Sequence, residues 1–453
     1  MVLEYTSRDD REPRERIRRR RSEHRVLSAP YPIMAPKPRT RSPSRPVNGH
    51  SNGHSNGKNG VHAPPSKPIA SASSSSCTAL SLAAVASVGL AALVARPQNP
   101  TQTMGKLLEL MRTGLPQGEN TTAFDQLYAG RQGNEQQTGA GDKDVANSFY
   151  NLATQFYEYG WGDSFHFGWR RRGEPHRQST ANSQNFVAQK LRVGDMSRVL
   201  DLGCGIGGPL RGVVRATGAN VTGLTINEHQ VARAREITAG LTPYMQARCH
   251  FEVQDYLNIV GMEAGAYDAA FYMESSLHCE DRSKTFAETY RLLKPGGRLV
   301  AMEYVTLPNW DESDPAHAEL MRQHLHGNGA ARTPTVAQAL KFVRDAGFVV
   351  EEHFDFMDHG KEIYGDDEFP WWGDLQSSTA GWLPSLLPAH PWVRKPLPYL
   401  LRALAAIRLV PEDVPRAAEL MNIGGDGLSG LGKIGAITPQ YYVLGVKPAK
   451  ASE

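Results

Sequence analysis

A short apolar run that leads into a cluster of glycines is the segment of this sequence that most clearly indicates chemistry. Residues 200–209 read Leu-Asp-Leu-Gly-Cys-Gly-Ile-Gly-Gly-Pro. Gly203, Gly205 and Gly207 permit a tight turn and a close approach of the backbone to a ligand, and the following helix would offer its N-terminal amides to a carboxylate or phosphate. No Lys-Ser or Lys-Thr pair follows, so the loop is not typical of a nucleotide P-loop. The spacing favours S-adenosylmethionine as cofactor, and a purely structural strand-to-helix turn is the alternative.

A second segment combines aromatic side chains with polar ones. Residues 157–167 read Tyr-Glu-Tyr-Gly-Trp-Gly-Asp-Ser-Phe-His-Phe. The two glycines argue against a regular helix, so the rings are expected to line a cavity or a lid, with an aromatic plug over the sheet as the alternative. Ring faces next to a sulfonium donor would stabilise positive charge on the donor and on an apolar substrate.

Apolar segments around the glycine loop predict the elements that hold it. Strands are expected at 219–226, 249–253, 267–273 and 298–305, with an amphipathic helix at 282–293. The first of these strands does not end in the acidic residue that a dinucleotide-binding enzyme places there for the ribose. The alternation of strands and helices predicts an α/β fold with a doubly wound, largely parallel, Rossmann-like sheet and ligands at its carboxyl edge.

Composition divides the 453 residues into five regions. Residues 1–76 form a basic, low-complexity tail that cannot bury enough apolar area to fold. Residues 77–95 carry no charge and are long enough to cross a bilayer as a helix, although their alanine content leaves a surface-lying anchor or a cleaved targeting segment open. A linker at 96–144, a cofactor-binding domain at 145–355 and a helical or irregular cap at 356–448, which includes the last strand, complete the division.

Charge and cysteine usage restrict the partners. The net charge is +3, and the basic excess lies mostly in the tail, so the catalytic region is expected to be near neutral. No nucleic-acid partner is expected, because a solvated tail is the commoner outcome, and contact of residues 14–25 with nucleic acid or anionic lipid is the alternative. The four cysteines show no paired spacing for a zinc site or a disulfide framework. This pattern predicts a reducing compartment and no bound metal.

These segments together resemble the sterol C-24 methyltransferase family. Residues 157–167 look like the aromatic region of that family, and residues 200–209 look like its cofactor loop. The resemblance continues through Phe149-Tyr150-Asn151-Leu152, residues 223–235, residues 273–278, residues 293–297 and Pro370-Trp371-Trp372. It covers residues 145–448. It implies a seven-stranded class I methyltransferase sheet and an enzyme of sterol biosynthesis that transfers a methyl group from S-adenosylmethionine to the side-chain double bond of a sterol, at C-24.

The resemblance also implies which residues hold the cofactor. Asp201 and the three loop glycines would form the methionine side of the site. Thr225 and Gln230 would contact the ribose, and Asp255 the adenine amine.

For catalysis, the family's reaction leaves a positive charge on the substrate and then removes a proton, so the site needs ring faces and a base. The expected lining residues are Tyr157, Tyr159, Trp161, Phe165 and Phe167. Candidates for charge balance and proton removal are Glu158, Glu274 and His278, of which Glu274 with His278 ranks first because a predicted strand ends there. His166 either lines the site or packs in the core.

The chain departs from the family pattern at three places, and at two of them carboxylates are missing. Ser183 and Gln184 stand where the family usually has a His-Glu pair, and residues 326–329 lack two acidic residues usually found there. Residues 275–280 read Ser-Ser-Leu-His-Cys-Glu in place of the usual Ala-Thr-Cys-His-Ala-Pro. Missing carboxylates would change how a carbocation is held or deprotonated. The alternatives are therefore another polyprenoid substrate, such as a linear triterpene or a prenylated quinol, or a non-catalytic protein that binds lipid or S-adenosylmethionine.

The segment after the sheet predicts contact with lipid. Residues 356–438 are rich in Pro and Trp and are expected to form an apolar cover over a lipid substrate or a simple accessory cap, and residues 398–409 an amphipathic helix that faces a membrane. The expected partners are a sterol or other lipid and a membrane surface, and a homo-oligomer is left open. The expected location is the endoplasmic reticulum or another internal membrane, with the catalytic domain facing the cytosol, where the donor is supplied.

Overall fold

The computed structural model describes residues 120–132, 141–279, 281–376 and 389–449. The predicted tail at 1–76, the anchor candidate at 77–95 and the first part of the predicted linker lie outside the described residues.

The described chain contains nine strands and thirteen α-helices. The strands are β1 Arg170–Arg171, β2 Arg198–Leu202, β3 Asn220–Thr225, β4 Cys249–Val253, β5 Tyr267–Met273, β6 Leu293–Thr306, β7 Val349–Asp355, β8 Glu368–Phe369 and β9 Ile437–Val446. The helices are α1 Thr121–Gln132, α2 Asp142–Trp161, α3 His176–Leu191, α4 Gly208–Thr217, α5 Glu228–Ala239, α6 Pro243–Gln246, α7 Arg282–Leu292, α8 Pro315–Gly327, α9 Val336–Asp345, α10 Phe356–Tyr364, α11 Pro391–Arg394, α12 Leu397–Ala406 and α13 Asp413–Lys433.

Seven strands form one sheet in the order β4-β3-β2-β5-β6-β9-β7. Strands β2 to β6 are parallel, and β9 is antiparallel to both of its neighbours, β6 and β7. The order reverses at β2, and this switch point places the ligand crevice at the carboxyl ends of β2 and β5. The predicted fold class, a doubly wound and largely parallel sheet, is therefore confirmed.

The sheet is buried on both faces, as parallel sheets generally are. In β2, Val199 packs in one apolar cluster with side chains of α3 and α4, whereas Leu200 and Leu202 pack in a second cluster with side chains of α7 and α9. Successive side chains of a strand point to opposite faces, so helices cover the sheet on both sides.

Helix α1 corrects one predicted boundary. It falls within the expected linker 96–144, yet the Phe124 side chain is fully buried and its ring lies 5.9 Å from Phe149 in α2 and 5.8 Å from His326 in α8. Helix α2 itself begins at Asp142. The described part of the predicted linker is folded onto the catalytic core because its apolar face is buried there.

The C-terminal region forms a cap that ends inside the sheet. Helices α13 and α8 are in close contact at Gly427. A Cβ added to this glycine would lie 2.4 Å from the amide nitrogen of His324, so a side chain does not fit there. After α13 the chain enters β9, which lies between β6 and β7, so residues 356–448 do not separate from the cofactor-binding domain as an independent unit. Among the helices of the described residues, none combines the length and the apolar character that crossing a bilayer requires.

Candidate active site

Two cavities adjoin at the carboxyl edge of the sheet. One, of about 800 Å³, lies against the glycine loop and the ends of β3, β4 and β5, and we call it the donor cavity. The other, of about 1090 Å³, lies between α2, the sheet edge and the cap, and we call it the aromatic cavity. Four side chains line both: Tyr150, Phe165, Glu274 and His278. Molecules bound in the two cavities would therefore meet at these four residues.

The glycine loop forms one wall of the donor cavity. Gly203 (φ +85°) and Gly205 (φ +53°) line it, and both adopt the left-handed conformation that favours glycine. A Cβ at Gly203 would lie 2.3 Å from the Cβ of Ser275, so any side chain here would collide with the end of β5. The backbone of the loop can thus approach a ligand directly.

The remaining predicted cofactor residues divide into two groups. Thr225, Gln230 and Asp255 line the donor cavity, and the Thr225 hydroxyl donates to Gln230 Oε1 over 2.7 Å. Asp201 and Gly207 are not among the residues that line the donor cavity. Burial raises the pKa of Asp201 well above its usual range, and its Oδ2 has no hydrogen-bond partner among the described residues.

The donor cavity fits S-adenosylmethionine. Asp142, Asp163 and Asp255 line it together with Lys143, so carboxylates are available for the cationic end and amino groups of the cofactor, and an ammonium for its carboxylate. Cys204 also lines the cavity, but burial raises the pKa of its thiol well above the usual range. The thiol is therefore a packing group and does not supply a nucleophile.

The aromatic cavity is built mainly by α2 and the residues that follow it. Contrary to the expectation from its glycines, the helix continues through Gly160 to Trp161. Tyr157 and Trp161 are four residues apart and share one face, with ring centroids 5.6 Å apart, and the Phe165 ring lies 5.4 Å from Tyr157. The lining includes the predicted residues Tyr157, Tyr159, Trp161, Phe165, His166, Phe167, Glu274 and His278.

Glu274 lies at the point where the two cavities meet. It follows β5 with φ 55°, an uncommon conformation for a residue with a side chain. Its carboxylate accepts hydrogen bonds from the amide of Phe167 (2.7 Å), the hydroxyl of Tyr304 (2.9 Å) and the side-chain amide of Gln440 (2.8 Å). These three donors hold the carboxylate in place, while burial raises its pKa to about 8. A carboxylate with this pKa is suited to accept a proton near neutral pH.

His278 is paired with a residue that the sequence did not single out as a site residue. Its Nδ1 donates to the carbonyl of Gly329 (3.0 Å), so Nε2 accepts a hydrogen bond from the hydroxyl of Tyr150 (2.9 Å). Burial lowers the pKa of His278 to about 4, which leaves the ring neutral at pH 7. Tyr150 lies seven residues, about two helical turns, before Tyr157 on α2, so the two side chains share one face of the helix. This spacing is the signal that would have identified Tyr150 as a site residue.

Two predicted catalytic residues have different surroundings from those expected. Glu158 lines neither cavity, because it points to α5 and forms an ion pair with Arg233. Its predicted role in charge balance or proton removal at the substrate does not fit this position. His166 is buried and lines the aromatic cavity, where its Nδ1 donates to the carbonyl of Phe167 (2.7 Å) and its Nε2 accepts from the amide of Gln184 (3.0 Å). Burial lowers the pKa of His166 to about 4, so this ring is neutral too.

At two of the departures from the family pattern, neutral side chains form hydrogen bonds in or next to the aromatic cavity. The Ser183 hydroxyl donates to Gln440 Oε1 (2.9 Å), and Gln184 contacts His166. Asn328, within the stretch that lacks acidic residues, accepts a hydrogen bond from the hydroxyl of Tyr157 (3.1 Å). Neutral groups therefore occupy these two places beside the aromatic cavity.

We predict that Gly203→Ala raises the Kd for S-adenosylmethionine at least about tenfold, because the added methyl both strains a left-handed residue and displaces Ser275 from the cavity wall. Gly261→Ala is the matched control, since Gly261 has φ +77° but an added Cβ there meets nothing within 4 Å. Isothermal titration calorimetry measures both. Equal Kd values for the two variants would show that the loop tolerates a side chain at Gly203.

Comparison with known proteins agrees with this geometry. A family profile described as a methyltransferase domain matches residues 200–301. The chain is 32% identical to the cycloartenol-C-24-methyltransferase of Arabidopsis thaliana over 72% of its own length and 93% of that protein. It is 32% identical to the cycloartenol-C-24-methyltransferase 1 of Oryza sativa subsp. japonica over 72% and 91% of the two chains. It is 30% identical to the sterol 24-C-methyltransferase ERG6A of Gibberella zeae over 67% and 79%. The chain belongs to the sterol C-24 methyltransferase family of S-adenosylmethionine-dependent enzymes.

Proposed function

We propose that this enzyme transfers a methyl group from S-adenosylmethionine to C-24, at the side-chain double bond of a sterol. The observation that carries the proposal is the junction of the two cavities, where aromatic rings and the Glu274 carboxylate stand between a site for the donor and an apolar site for the acceptor. The aromatic cavity is lined mainly by apolar and aromatic side chains, as a site for an apolar acceptor requires.

When bound, S-adenosylmethionine would supply an electrophilic methyl group, with the electron pair of the broken S–CH3 bond remaining on the sulfur of S-adenosylhomocysteine. The π electrons of the substrate double bond form the new carbon–carbon bond and leave a positive charge on the substrate. The rings of Tyr157, Trp161 and Phe165 present electron-rich faces to that charge, and the apolar lining excludes water that would otherwise trap it. No nucleophile from the protein is needed.

The reaction ends when the substrate loses a proton to a base of the protein. Glu274 is the first candidate, because its carboxylate lines the cavity and its pKa of about 8 makes it a stronger base than an exposed carboxylate. His278 is the second candidate, since its Nε2 reaches the cavity through the hydroxyl of Tyr150.

Methylation assays with labelled donor test the proposal. The purified full chain is incubated with sterols that carry a side-chain double bond, with a linear triterpene and with a prenylated quinol, and the products are analysed by mass. Labelled sterol is the expected product. A linear triterpene or prenylated quinol is the second candidate acceptor, favoured by the neutral residues Gln184 and Asn328 in the network around the cavity. If only the triterpene or the quinol gives a labelled product, the proposal that a sterol is the substrate is rejected.

Association with a membrane is part of the proposal, because a sterol must be drawn from a lipid phase. On the cap, Trp392, Tyr399, Ile407 and Leu409 expose large apolar side chains in and around α11 and α12. These side chains would insert into the interfacial layer of a bilayer. We place the enzyme at the endoplasmic reticulum or another internal membrane, with its catalytic domain on the cytosolic side.

Quenching of tryptophan fluorescence by brominated phosphatidylcholine vesicles measures this contact. Trp392→Phe is expected to lose much of the quenching seen with the wild-type protein, because the exposed indole would lie among the lipid chains. Trp371→Phe is the control, since Trp371 is buried against the core and lies too deep for lipid to reach. If both variants keep the wild-type quenching, this face of the cap does not touch the bilayer.

A further inference from the structure

The two oxygen atoms of the Glu274 carboxylate have hydrogen-bond partners of different kinds. Oε1 accepts from two N–H groups, the backbone amide of Phe167 (2.7 Å) and the side-chain amide of Gln440 (2.8 Å). Oε2 accepts from the hydroxyl of Tyr304 (2.9 Å). An N–H group can only donate, whereas a hydroxyl can turn and accept. A proton that is added to this carboxylate is therefore accommodated at Oε2 and not at Oε1.

The side chain of Gln440 is fixed with its N–H end towards Glu274. Gln440 is fully buried in β9. Its Nε2 also donates to the carbonyl oxygen of Phe167 (2.9 Å), which can only accept, and its Oε1 accepts from the hydroxyl of Ser183 (2.9 Å). Turning the amide round would place its oxygen against the carbonyl of Phe167 and the carboxylate of Glu274, and acceptors would face acceptors. The surroundings of Gln440 thus keep a donor on Glu274 Oε1.

The charge of Glu274 depends on such donors, because the carboxylate is buried. The titratable groups that face it are Glu303 and Tyr304 on β6, Tyr150 and Tyr157 on α2, and His166 and His278 in the cavity lining. Burial keeps these tyrosines and histidines neutral at pH 7, since it raises the pKa of the former and lowers that of the latter. The charge of Glu303 raises the pKa of Glu274, so none of these groups stabilises the carboxylate as a cation would.

We propose that Gln440, oriented by Ser183, is a positioning residue for proton removal: its N–H group holds Oε1 of Glu274, so that Oε2 receives the proton of the substrate. The inference rests on the proposed function. The C–H bond next to the cationic carbon breaks, its electron pair forms a carbon–carbon double bond, and the proton converts the carboxylate into a neutral carboxyl. Ser183 is one of the residues at which this chain departs from the family pattern.

The pH dependence of kcat in Gln440→Met tests the inference. Methionine has a similar length and no N–H group, and loss of a donor to the charged form raises the pKa of Glu274 from about 8 by about one unit. The midpoint of the profile should move up accordingly, so that kcat falls about tenfold at pH 7 and stays within about threefold of wild type on the alkaline plateau. A lower kcat at every pH with an unchanged midpoint would show a merely structural role and overturn the inference.

Gln376→Met is the matched control. The Nε2 of Gln376 donates to the hydroxyl of Ser429 in α13 (2.7 Å), and Gln376 lines neither cavity. The same substitution therefore removes a side-chain hydrogen bond that does not involve Glu274, and the wild-type midpoint should be kept.

Ser183→Ala is the second variant, and it suffices if Gln440→Met does not fold. It removes the hydroxyl that donates to Gln440 Oε1, so the buried amide is held less firmly. The midpoint should move in the same direction as in Gln440→Met, but by less, because the carbonyl of Phe167 still holds the N–H end. A wild-type midpoint in Ser183→Ala or in a folded Gln440→Met rejects the inference.

Infrared difference spectroscopy separates this inference from the proposed function. The C=O band of a protonated carboxyl that is lost in Glu274→Gln identifies Glu274, and its titration gives the pKa without turnover. If this band titrates at a higher pH in Gln440→Met but no sterol is methylated by the wild-type enzyme, the contact of Gln440 with Glu274 stands and the proposed reaction falls. If sterol is methylated but the band titrates as in the wild-type protein, the proposed function stands and the role of Gln440 is rejected.

Discussion

Replacing Glu274 with glutamine is expected to lower kcat for sterol methylation by about 10²- to 10⁴-fold, the usual contribution of a general base. Glutamine has nearly the same shape and keeps an oxygen for the amide of Phe167, so the cavity wall should be preserved. The carboxylate that accepts the substrate proton is lost. The measurement is single-turnover methylation with saturating labelled donor, and the Kd for the donor should stay near the wild-type value.

The pH dependence of the wild-type enzyme separates Glu274 from His278. A base must be unprotonated, and burial raises the pKa of Glu274 to about 8 while it lowers that of His278 to about 4. With Glu274 as the base, kcat rises with pH and levels off above about pH 8. With His278 as the base, kcat is already level above about pH 5.

The stability of the variant provides an internal control. Because the folded-state pKa of Glu274 lies above its unfolded value, the folded protein binds more protons between these two values, and its free energy of unfolding falls as pH rises through this window. Glu274→Gln removes this dependence and should be at least as stable as the wild-type protein at pH 8. Unchanged turnover in a stable Glu274→Gln variant would exclude this carboxylate from proton removal.

The sequence predicted the class of fold but not how its last segment joins the sheet. Strands β2 to β5 could be predicted because each is a short apolar run next to turn signals, which are local features. The position of β9 between β6 and β7 depends on pairing with strands far away in the chain, for example Val300 with Leu444. Nothing in the ten residues of β9 specifies those neighbours.

The continuation of α2 through Gly160 shows tertiary contacts outweighing local preference. A glycine within a helix costs about 1 kcal/mol relative to alanine. Burial of Leu152, Phe156 and the rest of the apolar face of α2 offsets that cost. The helix therefore continues to Trp161, and the next residue, Gly162, stops it with a φ of 80° that suits glycine.

The candidate site was predictable where its residues belong to local motifs. Gly203, Gly205 and Asp255 follow strands directly, so their place at the sheet edge follows from the topology. Tyr304 and Gln440 could not be found in this way, since they reach Glu274 from β6 and β9 and their strands show no special pattern. Glu158 was misplaced because it is next to Tyr157, and adjacent residues of a helix do not share a face.

The second large effect concerns the ring of Tyr157. Tyr157→Leu is expected to lower kcat about 10- to 30-fold, because a desolvated ring face contributes up to about 2 kcal/mol to the stabilisation of a cation and leucine offers none. Single-turnover methylation is again the measurement. The Kd for the donor should change little, since Tyr157 lines the aromatic cavity and not the donor cavity.

Tyr157→Phe is the matched variant, because it keeps the ring and removes only the hydroxyl that donates to Asn328. If the ring face stabilises the developing charge, Tyr157→Phe stays within about threefold of the wild-type rate, well above Tyr157→Leu. If both variants lose activity equally, the hydrogen bond to Asn328 is what matters and Tyr157 acts by positioning that residue. If neither loses activity, the cation does not pass this ring, and the neighbouring faces of Trp161 and Phe165 must account for its stabilisation.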